Sequence, residues 1–321
     1  MIRRSLGLLL VLLLTGSVAA QPPLPSDGAL YVGTSERGRM LLASLHLFPP
    51  DGAELQLLEA PAGPGEEASV ELTLTGPYIE HQRELEVVTE TWTFIAGLLP
   101  DGGLDSQGAG QLYLYDLEPI EFRAVGSVLL GGLRLADGSF AVQRWAPFFY
   151  ADPWSEIPFD LAVDEFVAEG LLQRRELPRT PAGIYTDSRT VYLAGFDTDL
   201  VSYYIVIDTY TGGAHPNSRR ESRTLLRVDG GWEAAGGICE VPKRLGWTCD
   251  EATIRRSVIA GLRRQGASWV VQGEVTEETE WLLDSFVISP WSVRVLFDPY
   301  AVGPYVQGPY EVDVPLEELG R

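Results

Sequence analysis

The sequence has few residues that bind soft metals and few basic side chains. Its 321 residues include two cysteines and three histidines, His46, His81 and His215, and no local spacing pairs the histidines as zinc ligands. There are 45 acidic residues against 24 basic ones, which gives a formal net charge of −21. Nucleic acid and anionic membrane surfaces repel such a chain, so we expect neither as a partner. A basic protein remains compatible with this charge.

Sequence motifs for common cofactors and catalytic sites are also missing. There is no Gly-x-Gly-x-x-Gly fingerprint, no P-loop and no His-Glu-x-x-His pair. The segment 33–38 resembles a nucleophile elbow around Ser35, but its second glycine falls one position late. A hairpin turn is the better interpretation of that segment. The sequence therefore identifies no catalytic residue, no metal ligand and no cofactor.

Residues 1–20 are typical of a secretory signal peptide. Arg3 and Arg4 precede an apolar run from Leu6 to Leu14, and Ala20 favours cleavage before Gln21. The run is shorter than the roughly 20 apolar residues that a spanning helix needs. An uncleaved N-terminal anchor is the alternative. Because no later stretch is apolar enough to span a bilayer, we expect a secreted or periplasmic protein with no membrane span after cleavage.

Export would place the two cysteines in an oxidising compartment. We therefore predict a structural disulfide between Cys239 and Cys249, which would close a short loop around Trp247. Closing so short a loop stabilises the fold by about 2.5–3 kcal/mol. A redox-active pair is the alternative, but it lacks the Cys-x-x-Cys spacing.

Residues 21–150 predict an all-β antiparallel domain. Apolar residues alternate or form short runs between turn signals such as Pro50-Asp51-Gly52, and helical periodicity is nearly absent. Many short strands separated by regular turns favour a meander barrel or a sandwich. The predicted strands include Met40–Phe48, Ser69–Thr75, Thr89–Leu99, Gln111–Tyr115 and Gly126–Leu135.

A stretch rich in proline and aromatic residues, 146–158, marks a predicted boundary near residue 150. Beyond it, helical and strand patterns mix, which predicts an α+β domain over residues 151–321. The clearest helix is Asp250–Arg264, which Asp250 can cap and in which apolar residues recur every four positions. A further helix is predicted over Asp160–Leu172, and strands over Thr190–Phe196, Val201–Thr209, Trp269–Val275, Asp284–Ser289 and Val293–Asp298.

One loop after a predicted strand combines residue types suited to ligand binding. Its glycine pair allows positive φ and close backbone approach, and His215 is held extended by the proline that follows. Asn217 is the only asparagine in the chain. These residues form either a hydrogen-bonded corner or a ligand-facing loop with His215 as donor or proton carrier. The candidate residues in this loop are Tyr210, Thr211, Gly212, Gly213, His215 and Asn217.

The C-terminal segment carries tyrosines at five-residue intervals. Tyr300, Tyr305 and Tyr310 lie in backbone that proline and glycine restrict. Such tyrosines either pack against the sheet with their hydroxyl groups bonded or form an aromatic recognition surface. Asp298, Tyr300 and Tyr305 are added to the candidate binding residues.

Two segments together resemble one family: YTGGAHPN at 210–217 and DSFVIS…LFDPYAVGPYVQGPYEVDVPLEEL at 284–319. This family is the domain of unknown function that forms the extracytoplasmic module of RsiV-type, lysozyme-sensing anti-sigma factors and occurs in PdaC-type wall enzymes. The resemblance spans residues 155–321 and implies an α+β fold with a helix packed on an antiparallel sheet. A sigma-binding segment, an internal transmembrane helix and a deacetylase metal motif are missing, so neither of those activities is carried over.

These observations predict an exported bacterial envelope protein that binds its ligand non-covalently. The ligand is either a basic, lysozyme-like protein or cell-wall glycan such as peptidoglycan. Two alternatives stay open: a wall-polysaccharide-modifying enzyme in which His215 works with Asp208 or Asp298, and a structural or accessory envelope protein without a dedicated ligand. The oligomeric state also stays open.

Overall fold

The computed structural model describes most of the chain from residue 28 to residue 319. The described ranges are 28–48, 52–67, 69–81, 84–88, 92–97, 109–114, 120–134, 140–149, 151–157, 185–210 and 215–319. The predicted signal peptide and the predicted helix Asp160–Leu172 lie outside these ranges. Within these ranges, the helices are all too short or too polar to cross a membrane.

The N-terminal strands form a closed antiparallel ring. They are β1 (Gly28–Thr34), β2 (Met40–Phe48), β3 (Gly52–Glu59), β4 (Glu71–His81), β5 (Glu84–Val88), β6 (Trp92–Gly97), β7 (Ala109–Leu114) and β8 (Ile120–Arg134). Each strand pairs with the next, and β1 also pairs with β8, so that Tyr31 lies opposite Ala43 on one side and Ala124 on the other. The predicted antiparallel β architecture is confirmed, and the closing pair makes it a meander barrel.

Both faces of β1 are buried, because the strand separates two hydrophobic cores. Side chains alternate along a strand, so Ala29 and Tyr31 pack inside the ring while Leu30 and Val32 pack outside it. Inside the barrel, the aromatic ring of Phe94 makes T-shaped contacts with the rings of Tyr31 and Phe122. The outer core is shared with later parts of the chain, including Phe149, Trp154, Phe196, Val201 and Leu225.

The same sheet continues beyond the ring. β8 pairs with β1 and β7 near its N-terminus and with β9 near its C-terminus. The further strands are β9 (Phe140–Phe149), β10 (Tyr185–Phe196), β11 (Leu200–Tyr210), β12 (Asn217–Val228) and β13 (Gly231–Ala234). β9 and β10 are parallel, and the other neighbours are antiparallel. The large sheet therefore contains strands from both sides of residue 150, and the domain boundary near that residue stays a prediction.

A helix packs on a second, three-stranded antiparallel sheet in the C-terminal region. These elements are α1 (Glu240–Arg244), α2 (Glu251–Arg264), α3 (Ser268–Val271), β14 (Phe286–Ile288), β15 (Ser292–Phe297), β16 (Tyr310–Pro315) and α4 (Leu316–Leu319). The Asp250 side chain accepts hydrogen bonds from the N–H groups of Ala252 and Thr253, as the predicted cap requires. Ile254, Val258 and Leu262 are fully buried. The predicted α+β class is confirmed.

The strand predicted over Trp269–Val275 is wrong. Its first part is the helical turn α3, and the chain then reverses at Gly273, whose φ is +81°. The Trp269 carbonyl accepts hydrogen bonds from the N–H groups of Glu274 and Val275, while Val270 is buried in the core. Local hydrogen bonds and one buried side chain thus override the β-forming composition of this segment.

The predicted disulfide between Cys239 and Cys249 is present, with an S–S distance of 2.03 Å. The loop that it closes contacts the barrel. The indole N–H of Trp247 donates to the carbonyl of Ala62 at 2.9 Å, and Thr248 donates to the carbonyl of Leu319 at 3.0 Å. The disulfide loop therefore connects the β3–β4 connection of the barrel with the end of α4.

Candidate functional site

The two segments singled out in the sequence meet in space. The ring of His215 stacks on the ring of Tyr305, with centroids 3.9 Å apart and planes inclined by 20°. The Tyr305 hydroxyl donates to the carbonyl of Pro216 at 2.5 Å. Because 89 residues separate Tyr305 from Pro216 in sequence, it is the tertiary fold that brings the two segments together. His215, Tyr300 and Tyr305 form what we refer to as the aromatic surface.

The hydrogen bond of His215 defines which ring nitrogen carries the proton. Nδ1 of His215 lies 3.0 Å from the carbonyl oxygen of Pro216. A carbonyl only accepts, so Nδ1 carries the proton in this contact and, in the neutral ring, Nε2 is the acceptor. His215 is exposed. The ring therefore offers Nε2 and its outer π-face to solvent.

Tyr300 extends the aromatic surface outward. Its ring centroid lies 5.5 Å from that of Tyr305, and its side chain is 56% exposed. The backbone φ of Tyr300 is +70°, which is uncommon for a residue with a β-carbon. Tyr300 is therefore an exposed aromatic residue in a sparsely populated backbone conformation, and core packing does not account for its position.

Asp298 connects this loop to β12. Its Oδ1 accepts a hydrogen bond from the backbone N–H of Arg220 at 2.7 Å. Burial raises the pKa of Asp298, whereas the backbone hydrogen bond from Arg220 and the charges of Arg220 and Arg219 lower it, and the charge of Glu221 raises it. The Arg220 guanidinium in turn pairs with Glu311 at 3.0 Å. Asp298 therefore positions the loop that carries Tyr300.

The remaining candidates lie at the adjacent strand ends. Tyr210 ends β11 opposite Thr186, and Asn217 begins β12 opposite Thr209 and is exposed. Thr211, Gly212 and Gly213 lie outside the described residues, so the predicted glycine conformation stays a prediction.

The three regularly spaced tyrosines have different environments. Tyr310 is buried at the start of β16. Tyr305 is half-buried and bonded through its hydroxyl group, whereas Tyr300 is exposed. The packed interpretation therefore holds for Tyr310, and the aromatic recognition surface stays a prediction for the exposed tyrosine.

Sequence reasoning did not single out Arg220. It lies in the N-terminal part of β12, which is polar throughout from Asn217 to Thr224 and shows no apolar alternation. Only the β11–β12 register, with Arg220 opposite Val206, brings it between Asp298 and Glu311. No local pattern in the sequence carries that information.

The C-terminal region also matches a known family. Residues 259–317 match the model of a family described as a protein of unknown function, DUF3298. The chain carries a DUF3298 domain there, from the second half of α2 into α4, which confirms the resemblance to a domain of unknown function. The matched residues include Asp298, Tyr300 and Tyr305, while the segment 210–217 precedes them.

Two solved structures of this family are similar to the chain. The DUF3298 family member from Bacteroides fragilis is 11% identical, with 60% of this chain and 89% of that one covered and a TM-score of 0.36. The DUF3298 family protein from Pseudomonas aeruginosa is 15% identical, with 61% and 90% covered and a TM-score of 0.31. Among curated proteins, none matches the chain.

Proposed function

We propose that this chain is an exported bacterial envelope protein that binds a basic, lysozyme-like protein non-covalently. The observation that carries the proposal is the contact of His215 with Tyr305, which joins two distant segments into one exposed aromatic surface. Aromatic residues that are exposed on a rigid support are typical centres of protein interfaces.

The composition of the aromatic surface supports a protein ligand. Tyr300 is 56% exposed, and Val306, which follows Tyr305 directly, is 89% exposed. Clustered exposed apolar side chains at one loop are uncommon unless they contact a partner. The net charge of −21 would attract a basic protein and accelerate its association.

Export is part of the same proposal. Its support comes from the charged and apolar pattern of residues 1–20 and from the Cys239–Cys249 disulfide, since disulfides persist in oxidising compartments. A secreted or periplasmic location would bring the chain into contact with basic wall hydrolases.

The contacts of His215 favour binding over catalysis. Its Nδ1 donates to a carbonyl and its ring stacks on Tyr305, whereas Asp298 accepts from the backbone of Arg220. An acid–base mechanism needs a carboxylate within hydrogen-bond reach of the proton it moves or of the histidine it orients. In the described residues, His215 and Asp298 make their hydrogen bonds to different groups, the carbonyl of Pro216 and the N–H of Arg220.

Calorimetric titration with lysozyme tests this proposal. The chain from Gln21 onward should form a saturable 1:1 complex that weakens with added salt and persists at physiological ionic strength. The variant Tyr300→Ala should weaken binding at least tenfold, as expected for an exposed aromatic centre. The matched control is Trp281→Ala, since Trp281 is 42% exposed but lies outside the aromatic surface.

Three results would contradict the proposal. Binding that disappears at physiological salt would show that lysozyme is held only by non-specific electrostatic attraction. Equal affinity of the Tyr300 and Trp281 variants would remove the aromatic surface from the interface. Binding of soluble peptidoglycan fragments, with none of lysozyme, would replace the protein ligand with glycan.

A further inference from the structure

A second aromatic feature lies on the face of the large sheet that is turned toward β14 and β15. Tyr192 in β10 and Tyr204 in β11 are directly opposite each other in the strand register. Their rings stack with centroids 5.2 Å apart and an angle of 19°. Tyr192 is 43% exposed. Since Tyr204 covers one face of the Tyr192 ring, the exposure falls on the opposite face and the ring edge.

Carboxylates predominate around this pair. Asp208 is exposed and shares a strand face with Tyr204, four residues further along β11. Glu54 lies in β3, two residues before Gln56, whose side-chain amide donates to the carbonyl of Leu193, the residue after Tyr192, at 3.4 Å. Burial raises the pKa of the Tyr192 hydroxyl, the charges of Asp208 and Glu54 raise it further, and the charge of Arg220 opposes this rise.

The arginines near this face are already paired with carboxylates. Arg220 binds Glu311 at 3.0 Å. Arg294 lies between Asp313 at 2.9 Å and Glu71 at 3.1 Å. Each of these arginines therefore has a carboxylate partner that offsets its positive charge.

This face adjoins the aromatic surface. Arg220 links both regions: its backbone N–H donates to Asp298, and its place opposite Val206 in the strand register puts it on the same face of the sheet as Tyr204. Along β12, Arg220 is three residues from Asn217, a rise of about 10 Å. One protein partner is large enough to cover both regions.

We propose that the exposed face of Tyr192 is an anchoring site for a guanidinium or ammonium group of the bound basic partner. The ring face attracts a cation through its quadrupole, and Asp208 and Glu54 add carboxylates that accept its hydrogen bonds. An anion would be repelled by the same carboxylates. This inference rests on the proposed binding of a basic protein and adds the group that is recognised.

The test uses two cationic probes, lysozyme and the peptide acetyl-Arg-Arg-Arg-Arg-amide, titrated into the chain from Gln21 onward. Tyr192→Leu removes the π-face but keeps an apolar side chain in the strand, and it should weaken binding of both probes about fivefold. Tyr192→Phe keeps the face and should bind within twofold of the unchanged protein. Asp208→Asn should weaken binding by two- to fivefold and reduce its salt dependence.

The outcomes separate this inference from the proposed function. Equal binding by the Leu and unchanged proteins would overturn the anchoring site, while lysozyme binding that depends on Tyr300 would leave the proposed function intact. Loss of binding in Tyr192→Phe as severe as in Tyr192→Leu would also overturn it, since the hydroxyl would then be the recognised group. Peptide binding that depends on the Tyr192 ring, without lysozyme binding, would support the cation site and contradict the proposed partner. Circular dichroism confirms that each variant is folded.

Discussion

The half-buried histidine in β2, His46, makes the stability of this protein depend on pH. His46 lies next to buried Ser44, with its Nε2 2.7 Å from the Ser44 hydroxyl oxygen. Burial lowers the pKa of His46 from 6.5 to about 4. The unfolded chain therefore binds a proton at this ring near pH 6.5, while the folded protein resists protonation until the pH approaches 4.

The sign and size of the effect follow from this difference in pKa. The stabilising contribution of unprotonated His46 is present above pH 6.5 and is lost as the pH falls toward 4. A difference of roughly 2.5 pKa units corresponds to about 3 kcal/mol at 1.36 kcal/mol per unit. Because folded domains are stable by about 5–15 kcal/mol, such a loss is a large fraction of the total.

Urea unfolding between pH 8 and pH 4 measures the effect when the unchanged protein is compared with His46→Gln. The glutamine does not titrate in this range, so the free-energy difference between the two proteins should change by about 3 kcal/mol in favour of the variant as the pH falls. Carboxylates that titrate in both proteins cancel in this difference. The control Ser44→Ala removes the hydrogen-bond partner and keeps the imidazole, so the pH dependence should persist. A difference that stays constant across the range would refute the reasoning.

Three further perturbations test the packing and the polar contacts. Gly261→Ala should destabilise the protein by about 1–3 kcal/mol, because the added carbon would lie 2.5 Å from Cγ1 of Val312. The thermal midpoint should fall in this variant and recover in part when Val312→Ala is added. An unchanged midpoint would contradict this contact. Replacing Cys239 and Cys249 by serine should cost about 2–3 kcal/mol, measured by urea unfolding under non-reducing conditions; equal stability with and without the disulfide would show that it restrains little. Arg294→Met should destabilise by about 2 kcal/mol because it leaves two partly buried carboxylates without their cation, and full stability of this variant at low salt would show that the ion pairs contribute nothing.

The sequence was informative where the structure depends on local patterns. The cap at Asp250 and the buried positions Ile254, Val258 and Leu262 predict α2, because helix ends and helix faces follow short-range rules. Likewise, β2 begins and ends at the predicted residues, Met40 and Phe48, since turn residues flank a regular apolar pattern.

Features that depend on distant pairing were not predicted. The closing pair of β1 and β8 and the parallel pair of β9 and β10 depend on which strands meet, which periodicity does not encode. The candidate site shows the same limit. The sequence identified His215 and Tyr305 separately, but the stacking of their rings follows from the fold. The pairing of Tyr192 with Tyr204 is set by the β10–β11 register alone.

Ring closure also bears on self-association. An unpaired strand edge presents free N–H and C=O groups that recruit strands from other molecules. Because β1 pairs with both β2 and β8, the barrel strands use both of their edges internally. In the part of the chain that the structure describes, the large sheet ends at β13, which is only four residues long. Such a short edge offers little template for cross-molecule β-pairing, so we expect the large sheet to resist this route to aggregation at high concentration.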